Sequence, residues 1–227
     1  MHQFLLLLQI VIIFILPICL IQLKIISVNY RLYLLAGVSA VAIAIMSFGR
    51  WSFSEIGIRT DNISSGLLPY TIFTLASFIA ILMLASFLHK KGPRKWYADP
   101  HFLFLFIPIS ILQELLYRSL LMHQLGSLFS SATVVIVVNT ILFGYIHTIY
   151  PHKHLTFLLG ILSGLGFSIL WYFIPNLYLI SISHMILNFV AVWFGLFTLL
   201  DEEQRTCKTL INDHQKIAAV IRNFLNA

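Results

Sequence analysis

The chain has 227 residues, of which 59% are apolar and only 10% charged, and its mean hydropathy is +0.94. Soluble domains carry about 25% charged residues, and a single soluble core of this size cannot hide so much apolar surface. A soluble globular enzyme and a disordered binder are therefore excluded, and lipid is the solvent for most of the chain.

A membrane helix needs about 20 apolar residues, and the sequence offers seven such spans, near 3–23, 33–49, 67–88, 102–125, 128–149, 155–174 and 177–200. The runs are long and continuous, whereas barrel strands alternate over about ten residues. The fold class is thus an all-α polytopic membrane protein with about seven transmembrane helices. The first run lacks a basic leader and reads as a retained helix rather than a signal peptide. Residues 50–66 are too polar to span and are expected along the interface. Asn62-Ile-Ser64 is a formal glycosylation sequon of a kind that chance supplies often. HKKGPRKWYADPH at 89–101 is the natural break. It separates N-terminal helices and loop (1–100) from a core of four spans (101–200), which a charged tail (201–227) follows. Ile211, Ile217, Val220, Ile221 and Leu225 give that tail the pattern of a short surface helix.

Fourteen Lys and Arg stand against eight Asp and Glu. The basic residues flank apolar spans, so topology explains them better than nucleic acid, which is not expected as a partner. Alternate loops place Lys24, Arg31, Lys90, Lys91, Arg94, Lys95, Lys153, Arg205, Lys208, Lys216 and Arg222 on one side, and Arg50 and Arg59 on the other. That asymmetry puts the C-terminus in the cytoplasm and the N-terminus outside. Cys19 and Cys207 are too few for a disulfide framework or a structural zinc site.

The two remaining charges of interest lie deep in one span. Residues 111–119 read ILQELLYRS, so Glu114 and Arg118 share a helix face and can pair, with Gln113 and Tyr117 on the adjacent stripe. Such a pair serves equally well as a neutralised clamp between helices. FGYIH at 143–147 places Phe143 and His147 on one face, with Gly144 allowing close backbone approach. His184 and Asn188 are again four apart. Singly, His147, His184 and Asn188 read as interhelical hydrogen-bonding groups. Together, a carboxylate, two imidazoles and a carboxamide on three spans suffice to activate water and stabilise an oxyanion. They require a polar intramembrane cavity.

Three motifs in this order, Gln113-Glu114-Leu-Leu-Tyr-Arg118, Phe143-Gly-Tyr-Ile-His147 and His184-Met-Ile-Leu-Asn188, resemble E-E-x-x-x-R, F-x-x-x-H and H-x-x-x-N. Those patterns mark the CAAX-prenyl-endopeptidase and bacteriocin-processing (CPBP, Abi-type) family of intramembrane proteases. The resemblance covers about residues 100–195 and includes the approach Asn176-Leu177-Tyr178. It implies an intramembrane endopeptidase acting on a peptide or protein substrate near the membrane face, by glutamate/histidine activation of water. In these terms His147 orients or deprotonates the water, His184 and Asn188 form the oxyanion hole, and Glu114 with Arg118 is a structural pair. The implied setting is integral to a membrane, the bacterial cytoplasmic membrane, with the bilayer as partner.

One departure matters. The family's first glutamate is Gln113 here, and an amide is no general base. Three outcomes are open. Glu114 turns into the cavity as base; or His147 acts unaided with Gln113 orienting the water; or the chain is a catalytically silent CPBP-fold scaffold or regulator. No cofactor is expected, although Glu114, His147 and His184 also make up a three-ligand zinc set. No H-E-x-x-H occurs and no Asp lies in a span. Gly160 and Gly164 read as small-residue helix packing rather than part of a serine-protease motif.

Overall fold

The computed structural model describes residues 2–88, 100–150, 153–194 and 196. It divides into a unit Met1–Phe197 and a second unit Thr198–Ala227. The second unit lies outside the described residues, as does the surface helix expected in the tail. Residues 89–99 of the expected break are outside them too.

Helical rods stand at all seven expected places. The first joins α1 (His2–Ile10) to α2 (Leu16–Gln22) through a π-helical segment, Val11–Ile15. Pro17 explains the wide turn, since it has no N–H to give the carbonyl four residues back. Leu16 N–H bonds to Val11 O instead. The second rod is α3 (Arg31–Phe48), preceded by a 3-10 turn at Val28–Tyr30, and the third is α4 (Ile63–Phe87). Next come α5 (Pro100–Glu114), a second π segment (Leu115–Leu121) and α6 (Met122–Leu128). The last three rods are α7 (Ala132–Ile146), continued by a 3-10 turn at His147–Ile149, α8 (Lys153–Phe173) and α9 (Leu177–Trp193). Five described helical segments have the length and hydropathy to cross a membrane, and α9 is a shorter apolar helix. The last described helix closes at Phe194 with its N–H on Val190 O, and residues 197–200 of the expected span lie outside the described residues.

The polarity of the packing is inverted relative to a soluble protein. On α4, Leu67, Leu68, Ile72, Leu75, Ile79 and Met83 face outward. Its inward positions Tyr70 and Thr74 bond to the Ile174 carbonyl (3.0 Å) and the Ser183 hydroxyl (2.8 Å). Helices in lipid gain nothing from burying leucine against leucine, so such polar contacts and close packing do the holding. At the close approach of α7 and α8, a Cβ on Gly144 would meet Ile161 at 2.6 Å, and one on Gly164 would meet Phe143 at 2.9 Å. The expected small-residue packing is therefore present. α9 lies against α4 and α5 and buries residues around most of its circumference.

Residues 50–62 form turns folded over the α8–α9 corner. Gly57 has φ +79°, and a Cβ there would sit 2.2 Å from Trp171, so only glycine fits the bend. Its carbonyl accepts from Leu177 N–H at 2.8 Å. Asn62 donates to Pro175 O (3.0 Å) and accepts from Asn176 Nδ2 (2.7 Å). The sequon asparagine is therefore a structural part of this corner. α4 begins at Ile63, four residues before the expected start, because the polar turn Asn62–Gly66 is absorbed by these contacts and by Ser65 Oγ donating to Asn62 O.

Candidate active site

Glu114 ends α5 at the entrance to the second π segment, a kind of helix irregularity common at functional sites. It is fully buried, with its two oxygens facing different groups. Oε1 lies 2.6 Å from Nδ1 of His184. Oε2 lies 3.2 Å from Nε of Arg118 on the next turn, at ion-pair distance without hydrogen-bond alignment.

Arg118 is also fully buried and holds three helices together. Its guanidinium donates to Asn139 Oδ1 on α7 and reaches the Gly164 carbonyl of α8 at 3.5 Å. It also sits over the Phe143 ring at 4.7 Å. Asn139 accepts in addition from Ser168 Oγ (2.9 Å) and donates Nδ2 to Tyr117 O (2.6 Å), a carbonyl in the π segment. A charge inside a membrane protein is tolerated when it is paired and hydrogen-bonded in this way. Asn139 and Ser168 went unnoticed in the sequence. The available signal was that Asn139, Phe143 and His147 recur every fourth residue on one face of α7.

On the other side of Glu114 lies a cavity of about 340 Å³ between α4, α8, α9 and the end of α7. His147, His184 and Asn188 line it, among aliphatic side chains such as Leu84, Leu158 and Leu187. Neither Glu114 nor Gln113 lines this cavity. Glu114 stands behind His184, anchored from both oxygens, so the expectation that it turns in as base does not fit its position. Gln113 is buried away from the lining, which also leaves it unplaced to orient a water there.

His147 caps the C-terminus of α7, where its Nδ1 lies 2.7 Å from the Phe143 carbonyl. A carbonyl only accepts, so Nδ1 carries the hydrogen, and the neutral ring has its lone pair on Nε2. Gly160 makes room for the ring, since a Cβ there would meet His147 Nδ1 at 2.7 Å. The Phe143 ring stands between the two imidazoles, 5.0 Å from His147 and 5.8 Å from His184.

Asn188 Nδ2 donates to Ser110 Oγ at 2.9 Å, while Ser110 Oγ donates to Phe106 O at 2.8 Å. With its hydrogen committed to a carbonyl, the hydroxyl can only accept from the amide. This fixes which way Asn188 points and leaves its second N–H. Ser110 was also missed, although it stands four residues before Glu114 on the same face.

Among the described residues no group of three His, Cys, Asp or Glu lies close enough to share a metal ion.

Fold and site together define a polytopic helical membrane protein with a carboxylate-held histidine, a second histidine and a carboxamide at one intramembrane cavity. Residues 95–190 match the family described as Rce1-like, Type II CAAX prenyl endopeptidase Rce1-like. This segment holds all six candidate residues, and its similarity supports the CPBP resemblance. No curated protein and no solved structure matches the chain.

Proposed function

We propose that the protein is an intramembrane endopeptidase in which His147, rather than a glutamate, activates the water. The observation that carries this reading is the convergence of His147, His184 and Asn188 on one cavity, with His184 held from behind by Glu114. A water bonded to His147 Nε2 attacks the scissile carbonyl carbon and gives its proton to that nitrogen. The carbonyl oxygen becomes an oxyanion, which accepts from the second Asn188 N–H beside His184, whose ring Glu114 holds in place. His147 then returns the proton to the departing amine as the C–N bond breaks. No covalent enzyme intermediate is needed.

The aliphatic lining suits an apolar peptide segment or a lipid-modified peptide, and the family description makes a C-terminal prenylated peptide the first to try. The bias of Lys and Arg across the loops supports a cytoplasmic side for the tail and the 89–99 loop. The test compares membranes containing wild type, His147→Ala or His184→Ala by mass spectrometry of new peptide termini, alongside cleavage of a quenched farnesylated peptide. Each substitution should lower cleavage about 10²–10⁴-fold while abundance is kept. Termini that are the same in all three membranes would overturn the reading.

A further inference from the structure

A second hollow, of about 50 Å³, opens at the end of the bundle where α2 stops, α3 starts and α7 finishes. Pro17 and Ile21 of α2, Leu34 and Val38 of α3, and Ile146 and Ile149 beside His147 form its walls. Arg31 is the one charged residue among the described residues of its lining. No carboxylate among the described residues pairs with this arginine. Its guanidinium lies over the Tyr150 ring at 5.5 Å, a contact that uses none of its five N–H donors. Lys24 stands exposed on the loop leading to it, and Tyr30 and Tyr33 beside it are 59% and 77% exposed. Exposed tyrosines among basic residues at helix ends mark the headgroup level of a bilayer.

We propose that this hollow binds an anionic phospholipid, with the phosphate on the Arg31 guanidinium and one acyl chain running into the slot between α2, α3 and α7. A cation with no carboxylate partner among the described residues calls for an anion at headgroup level, and the apolar slot beneath it calls for a hydrocarbon chain. A phospholipid supplies both in one molecule. Free phosphate would answer the arginine and leave the slot empty. The site lies outside the cavity of the proposed peptidase and does not depend on that reading.

The experiment uses the full chain in a neutral detergent. It is titrated with dioleoyl phosphatidylglycerol or dioleoyl phosphatidylcholine, and bound lipid is counted by native mass spectrometry. Phosphatidylglycerol should bind about fivefold more tightly, the increment of one basic residue at a membrane surface. Arg31→Gln should erase that preference and Arg31→Lys should keep part of it. Leu34→Trp, which fills the slot, should weaken both lipids. Excess inorganic phosphate should displace neither. Equal binding of the two lipids by wild type would overturn the proposal, as would a preference that survives Arg31→Gln. Displacement by inorganic phosphate, or no effect of Leu34→Trp, would reduce the site to a simple anion contact and overturn it likewise.

Discussion

Two polar regions lie back to back in this apolar bundle, and Glu114 belongs to both. Behind it, Arg118, Asn139, Ser168 and the carbonyls of Tyr117 and Gly164 form a sealed network of hydrogen bonds. In front of it, His147, His184 and Asn188 line a cavity, with His184 Nδ1 at Glu114 and Asn188 Nδ2 on Ser110. The sealed region carries the formal charge and the open one carries ordinarily neutral groups. Charge within a membrane span therefore locates the scaffold of the site, while the polar groups that line the cavity locate its chemistry.

The largest effect that would break this contrast concerns the sealed region. Arg118→Met leaves the Glu114 carboxylate with His184 alone, and losing one partner of a buried pair costs about 3–5 kcal/mol. Glu114→Gln combined with Arg118→Met removes both charges and should recover part of that loss in a denaturation titration. Cleavage per folded molecule should fall far less in Arg118→Met than in His184→Ala, because Glu114 still holds His184. An activity loss as deep as that of the histidine variant would show that the two regions are one.

Gln113→Glu is the next test. Restoring the family's glutamate should place a carboxylate in a buried position away from the cavity, costing about 1–3 kcal/mol of stability. Cleavage should not rise. A gain in rate would put residue 113 at the water and move the base away from His147. A smaller effect is expected at Ser110, whose hydroxyl orients Asn188. Ser110→Ala should lower kcat about three- to tenfold with KM little changed, the worth of one hydrogen bond. Ser110→Thr should restore it. If KM moves and kcat does not, Ser110 shapes the cavity and leaves the oxyanion contact alone.

Much of this was legible in the sequence because lipid imposes long apolar runs. The rods fall where hydropathy alone places them, and the i, i+4 spacing of Glu114 and Arg118 predicts their pairing. The direction of Glu114's other oxygen was not legible, since it depends on where α9 crosses α5, seventy residues away. Both π segments were invisible for a related reason. Pro17 hints at the first, but the second has no proline within it and is accompanied by the hydrogen bond that Asn139 makes to Tyr117 O across two helices. Gln113 stands out by its place in the first motif, but a motif records order along the chain and not which side of the helix meets the cavity.

The mildest test lies outside both regions, in the loop over the α8–α9 corner. The Glu55 carboxylate accepts from Ser52 N (2.6 Å) and Ser52 Oγ (2.7 Å). The Ser52 backbone N–H, helped by the hydroxyl, holds its pKa below the ordinary 4.5. A depressed carboxylate contributes stability that is complete above the unfolded value and disappears as pH falls through the lower folded one. Glu55 is fully exposed, so the contribution is small. Glu55→Gln should flatten the acid limb of the melting-temperature profile slightly below pH 4.5 and leave the pH dependence of cleavage unchanged. A shifted pH–rate profile would mean that this loop is coupled to His147 and His184 through the corner it covers. The chemistry would then extend beyond the cavity lining.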